Sequence, residues 1–80
     1  MNHAFYWAPY SALSQKARMY ERVDDVNTRT TGYWITGYNE PGKWWAMGGI
    51  ERIATCDTVE EARLICETTY NITGPVHVPR

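Results

Sequence analysis

The chain has 80 residues, of which 44% are hydrophobic and 14% aromatic, and its formal net charge is −1. This composition excludes a disordered chain, which has few hydrophobic residues and a large net charge. The length predicts a single domain over residues 1–80. The charges are balanced and contain no basic run, which argues against a protein that binds duplex nucleic acid. No apolar run approaches the ~20 residues of a membrane helix, and the N-terminal MNHAFYW lacks the features of a secretory signal. We therefore expect a cytoplasmic protein with no membrane association.

The first third of the chain is compatible with more than one structure. The N-terminal AFYW is typical of either a short edge strand or an aromatic arm. Residues 17–23 (ARMYERV) alternate as a strand does, although Leu13, Ala17 and Tyr20 also have helical spacing. We favour the strand, because a lone hairpin needs a third strand for stability. The polar residues 24–30 predict a loop.

The middle of the chain predicts a series of strands. Residues 31–38 (TGYWITGY) are rich in β-branched and aromatic types, which favour strands. A four-residue turn signal at 39–42 leads to a returning strand at 43–47. Gly48-Gly49 predicts a break or bulge, and residues 50–55 (IERIAT) form a further strand.

The end of the chain predicts one helix over residues 57–70. Asp57 is a suitable N-cap, with Glu60 three positions later as in a capping box. A 3.6-residue period places Val59, Ala62, Cys66 and Tyr70 on one face, and Gly74-Pro75 ends the helix. The expected fold is therefore α+β: a small antiparallel sheet of three to four strands with one C-terminal helix packed on one face. The tail 76–80 either pairs briefly or frays.

The residues that carry chemistry do not predict an enzyme. Cys56 and Cys66 would lie too far apart for a disulfide if the helix forms, so we expect free thiols. Cys56, exposed at a helix N-terminus that would lower its pKa, is the candidate nucleophile, with His3 or His77 as base. The cysteines and histidines lack the paired spacing of a zinc site. We therefore expect no catalytic residues, metal or cofactor.

The aromatic residues predict a binding surface. Strand alternation sends Trp44 and Trp45 to opposite faces of the sheet, and separates Tyr33 and Ile35 (inward) from Trp34, Thr36 and Tyr38 (outward). An exposed aromatic strip is typical of surfaces that bind proteins or stack single-stranded bases, although the rings and long cationic side chains could also cover one another. The predicted aromatic anchors are Tyr6, Trp7, Trp34, Tyr38 and Trp44. The acidic outer face of the helix, with Glu60, Glu61, Leu64 and Glu67, is a second candidate surface.

Three segments, GYWITGY, GKWWAMGGIERIAT and DTVEEARLICETTY, resemble a loose pattern found in short orphan proteins of phages and prophages. The pattern covers about half the chain and defines no catalytic residues. The resemblance implies a bacterial cytoplasm and a protein that binds a host protein, since counter-defence proteins such as anti-CRISPR inhibitors are common in that setting.

These observations rank three functions. The leading prediction is a phage-type inhibitor or modulator of a host bacterial protein, acting through its surface as an anti-CRISPR-like protein would. The alternative is a module for single-stranded nucleic acid that adds Arg18, Arg22, Lys43 and Arg52 to the same aromatics; among partners, nucleic acid ranks below protein. A small enzyme using Cys56 comes last. An open sheet edge also makes a homodimer plausible.

Overall fold

The computed structural model describes residues 4–11 and 13–76, and they form an antiparallel sheet with one helix. The strands are β1 (Phe5–Pro9), β2 (Lys16–Arg22), β3 (Thr28–Thr36), β4 (Trp44–Gly48) and β5 (Glu51–Cys56), and the helix is α1 (Val59–Thr73). The strands lie in the order β1-β2-β3-β4-β5, so each pairs with its neighbours in sequence. This confirms the α+β class and the C-terminal helix.

The number of strands differs from the prediction, since the described residues form five strands rather than three or four. The additional strand is β1, which pairs along its whole length with β2, from Phe5 opposite Glu21 to Pro9 opposite Ala17. The strand interpretation of residues 17–23 is confirmed by β2. The predicted loop at 24–30 is shorter, because β3 already begins at Thr28. Asp24 tightens it by accepting hydrogen bonds from the backbone N–H groups of Val26 and Asn27, each 2.9 Å.

The N-cap of the helix is one residue later than predicted, and the helix extends to Thr73 rather than to residue 70. Thr58 is the N-cap: its backbone is extended and its hydroxyl accepts a 3.1 Å hydrogen bond from the backbone N–H of Glu61. Asp57 instead forms an ion pair with Lys43. At the other end, Gly74 has a φ of 79° and donates its N–H to the carbonyl of Tyr70, so the predicted C-terminal stop is confirmed.

The core lies between the helix and one face of the sheet. Ala62, Cys66 and Tyr70 are the buried residues of α1, as the helical period predicts. The row opposite them in the sheet is Ala17, Ile35, Ala46 and Ala54, which face each other across four strands. Three of these four side chains are alanine, and such small side chains let a helix approach a sheet closely.

Two irregularities interrupt the strand pairing. The register shifts between Arg18 and Tyr20 in the β2–β3 pair, and between Ala46 and Met47 in the β4–β5 pair. In the second case Ile53 is the extra residue, because Ala46 is opposite Ala54 while Met47 is opposite Arg52. A bulge of this kind changes which side chains share a face on either side of it. Arg52 and Ala54 therefore lie on opposite faces, although they are two residues apart.

Candidate binding face

One face of the sheet is not covered by the helix, and we call it the open face. Residues paired directly across neighbouring strands point to the same side of a sheet. Since Ala17, Ile35 and Ala46 pack against the helix, the adjacent row of Arg18, Trp34, Met47 and Arg52 points the other way. The strand positions of the open face are Tyr6, Ala8, Lys16, Arg18, Tyr20, Arg22, Thr28, Thr30, Trp34, Thr36, Trp45, Met47, Arg52 and Thr55.

Charge is segregated onto this face. Its strand positions carry four cations, Lys16, Arg18, Arg22 and Arg52, and no acidic residue. Among the described residues none of these four cations takes part in an ion pair; the two pairs found there join Arg29 to Glu21 and Lys43 to Asp57. The helix, in contrast, exposes Glu60 and Glu61 and half-buries Glu67. A chain with a net charge of −1 thus presents a cationic surface on one side.

The cations of the open face lie over aromatic rings. The guanidinium carbon of Arg18 is 4.4 Å from the centre of the Tyr10 ring, and that of Arg52 is 4.5 Å from Trp45. The Lys16 ammonium is 5.4 Å from Trp34. These are cation–π distances. The neighbouring Tyr10, and then Tyr20, raise the pKa of the Arg18 guanidinium, so Arg18 is charged at any physiological pH.

Two indole rings are held in fixed orientations on this face. The Nε1–H of Trp34 donates a 2.7 Å hydrogen bond to the carbonyl of Gly49, and the Nε1–H of Trp45 donates a 3.3 Å bond to a carboxylate oxygen of Glu40. Trp34 is paired with Met47 and Trp45 with Thr36. Met47 is 7% exposed and Thr36 is 0% exposed, although no helix covers this face of the sheet. The rings therefore shield the sheet beneath them and form a preorganised surface.

The predicted aromatic anchors are divided between the two faces. Tyr6 and Trp34 belong to the open face, and Tyr38 is exposed just beyond β3, where its hydroxyl accepts a 2.9 Å hydrogen bond from the backbone N–H of Gln15. Trp7 and Trp44 instead pack against the core on the helix side.

The placement of Trp44 corrects the expectation that it faces outward. It is opposite Cys56, a core residue, and so Trp45 is the open-face member of the tandem pair. Trp7 donates a 2.7 Å hydrogen bond from its indole N–H to Glu67, and Arg63 lies 5.5 Å from its ring. The inward positions of Tyr33 and Ile35 are confirmed, at 5% and 0% exposed. Thr36 points to the open face, as predicted, but its side chain is 0% exposed.

The helical candidates Glu60, Glu61 and Leu64 are exposed, and Glu67 is half-buried through its bond to Trp7. Leu64 is 62% exposed. These residues lie on the side of the molecule opposite the open face. The structure therefore does not join them to Tyr6 and Trp34 in one site.

The environment of Cys56 contradicts its expected exposure and lowered pKa. Its side chain is 2% exposed, and burial, followed by the nearby charges of Glu61 and Asp57, raises the pKa of its thiol. Burial likewise raises the pKa of Cys66 to about 12. Both thiols are free, as expected, and both are poor nucleophiles at neutral pH. His3 and His77, weighed as bases, and residues 77–80 of the tail lie outside the described residues.

Sequence reasoning did not identify Lys16, Tyr10, Tyr20 or Trp45 as members of the candidate site. The strand alternation of Lys16, Arg18, Tyr20 and Arg22 in β2 was a usable signal, because these residues share one face of any strand built from residues 16–22. Only the pairing of β2 with β3 shows that these residues lie on the open face rather than on the helix side.

Comparison with known protein families, with curated proteins and with solved structures finds no match to this chain. In the described part of the chain, no three His, Cys, Asp or Glu side chains are grouped as a metal site requires. The helix among these residues is too short and too polar to cross a lipid bilayer.

Proposed function

We propose that this protein is a non-catalytic module that binds single-stranded nucleic acid on its open face. The observation that carries the proposal is the set of four cations that share this face with aromatic rings and no acidic strand residue, and that form no ion pair within residues 4–11 and 13–76. Proteins that bind single-stranded nucleic acid combine a cationic surface with aromatic side chains in this way. The cations contact the phosphates, and the bases stack on the aromatic rings.

We rank a nucleic-acid partner above a protein partner, in contrast to the ranking favoured by the sequence, because of the distribution of charge. Balanced total charge argues against a nucleic-acid partner only if the charges are mixed evenly over the surface, and here four cations and no acidic residue occupy the strand positions of one face. The acidic helix would repel a polyanion, and the open face would attract it, so the protein would bind in one orientation. Lys43, counted with the cations of this site on sequence grounds, is neutralised by its ion pair with Asp57.

The salt dependence of binding provides a quantitative test. Each phosphate contact to a single strand contributes about −0.7 to the slope of log affinity against log salt. Four contacts predict a slope of about −2.8, which weakens binding about 50-fold between about 50 and 200 mM salt. The measurement is fluorescence anisotropy of a labelled oligonucleotide of about 12 nucleotides, a length within the range of known site sizes.

Charge variants locate the contacts. Arg18→Gln and Arg52→Gln should each make the slope shallower by about 0.7, and the triple variant with Lys16→Gln should leave a slope of about −0.7. Arg63→Gln is the matched control, because it removes the same charge from the helix side, where Arg63 lies over Trp7. Absence of binding by folded protein at about 50 mM salt would contradict the proposal, as would equal slopes for the open-face variants and Arg63→Gln.

The second candidate is the phage-type protein that inhibits or modulates a host bacterial protein, with an anti-CRISPR-like role as its most concrete form. It is supported by the Trp, Tyr and Arg content of the open face, since these residues dominate hot spots of protein interfaces, and by the exposed Leu64 on the acidic helix. If oligonucleotides fail to bind, a host protein retained by the wild type and by Arg63→Gln, but lost with the open-face triple variant, would support this candidate.

A further inference from the structure

The open face contains a small depression beside Arg18. It has a volume of about 140 Å³ and is lined by Tyr10, Arg18, Thr30, Gly32, Tyr33 and Trp34. Trp34 is the direct cross-strand neighbour of Arg18, and Tyr10 lies under its guanidinium. The depression lies where the pairing of β2 and β3 is irregular.

The size and walls of this depression select a small planar ligand. Sites for drug-sized molecules measure ~300–1,000 Å³, so this one has room for only a single ring system. The Trp34 ring is fixed by its hydrogen bond to Gly49, and aromatic walls of this kind stack on the flat face of a base. A phosphate group has no flat face and gains nothing from such walls.

Arg18 gives the depression a preference among bases. A guanidinium carries five N–H donors in a planar fork, so it pairs best with two adjacent acceptors. Guanine offers O6 and N7 side by side, whereas adenine has a donor beside N7 and thymine has a methyl group beside O4. Cytosine has adjacent acceptors on its Watson–Crick edge, which a single strand leaves open, but its single ring stacks over less area.

We infer that the depression formed by Tyr10, Arg18 and Trp34 is a base subsite that prefers guanine, within the strand-binding face proposed above, and the inference rests on that proposed function. Lys16, Arg22 and Arg52 lie outside the depression and contribute their charge alone, whereas Arg18 contributes its charge to phosphate binding and its planar fork to the base. Arg18 therefore has a role in specificity that the other cations lack.

A single-base series tests the subsite. The probes are oligothymidylates of about 12 nucleotides in which one central base is replaced by guanine, cytosine or adenine; a single guanine avoids the self-association of guanine runs. The wild type should bind the guanine probe at least about fivefold more tightly than the all-thymine probe, with cytosine second. Arg18→Lys keeps the charge but lacks the planar fork, so it should retain the salt slope and lose the guanine preference. Arg63→Lys, on the helix side over Trp7, is the control and should retain both.

The outcomes separate the subsite from the function on which it rests. Equal affinities for the four probes, with the expected salt slope, would overturn the guanine subsite and leave the proposed function intact. A guanine preference that survives in Arg18→Lys would overturn the role of Arg18. Failure of the folded wild type to bind any probe would overturn both.

Discussion

The hydroxyl of Tyr70 donates a 2.6 Å hydrogen bond to the carboxylate of Glu21, which joins the C-terminal half of the helix to β2. The same carboxylate oxygen accepts a 2.6 Å bond from Nη2 of Arg29 in β3. Glu21 is 5% exposed, so these donors offset the cost of burying its charge. Burial first, and then the contact with Glu21, raise the pKa of the Tyr70 phenol. The phenol therefore stays protonated and able to donate throughout the physiological range.

Replacing Tyr70 by phenylalanine should lower the free energy of unfolding by about 1–3 kcal/mol, because it removes a donor from a buried carboxylate without changing the packing of the ring. Urea unfolding measures this difference. Tyr6→Phe is the matched control and should change stability by less than about 0.5 kcal/mol, since Tyr6 is 47% exposed. Equal stabilities of Tyr70→Phe and the wild type would mean that this bond contributes nothing.

The buried thiol of Cys66 predicts a loss of stability at alkaline pH. The pKa of this thiol is raised from 9.0 to about 12 by burial, so between these values the unfolded chain loses a proton that the native chain keeps. Stability should therefore fall as the pH rises above 9, by up to about 1.4 kcal/mol per pH unit from this group. Urea unfolding of wild type and Cys66→Ala between about pH 8.5 and 10.5 checks this, because the variant should show a shallower decline. Parallel declines would contradict the assignment to Cys66.

The two tryptophans of β4 should have separable roles. Trp44→Ala removes a ring packed on the core and should lower the free energy of unfolding by about 2–4 kcal/mol, with the salt slope of oligonucleotide binding retained. Trp45→Ala removes the ring beneath Arg52 and should weaken binding at least about fivefold, the scale of one stacking contact. Comparing the unfolding free energy and the affinity of both variants tests the face assignment. The reverse pattern would place Trp44 on the binding surface.

The start of the helix makes a prediction that distinguishes neighbouring residues. Thr58→Ala should lower the free energy of unfolding by about 1 kcal/mol, because it removes the acceptor for the N–H of Glu61. Asp57→Ala should have a smaller effect, since Asp57 is exposed and its ion pair with Lys43 lies at the surface. The midpoint of thermal unfolding ranks the two variants. A larger loss of stability for Asp57→Ala than for Thr58→Ala would identify Asp57 as the N-cap instead.

Local patterns were sufficient to predict most of the secondary structure. The period of Ala62, Cys66 and Tyr70 identified the buried helix face, and Gly74 identified its end, because both signals depend on residues within one or two turns. The shift of the cap from Asp57 to Thr58 depended on one dihedral angle and a distant partner, Lys43. The edge strand β1 was ambiguous because a five-residue strand is defined by its pairing with β2.

The candidate site was less predictable, because a strand's alternation separates two faces without saying which one is covered. The tandem tryptophans of β4 were correctly sent to opposite faces, and only the pairing of Trp44 with Cys56 showed which one packs on the core. In β5, the bulge at Ile53 breaks the alternation, so the face of Arg52 could not be inferred from that of Ala54.

The sequence by itself determined that this is a small α+β domain with a capped helix, free thiols and an excess of aromatic rings, since composition and short-range periodicity carry that information. The tertiary structure alone decided where the charge lies. Lys16 and Arg52 are far apart in the chain and on non-adjacent strands, and the registers of three strand pairs bring them to the same face. That long-range pairing converts a nearly neutral chain into a molecule with one cationic, aromatic surface.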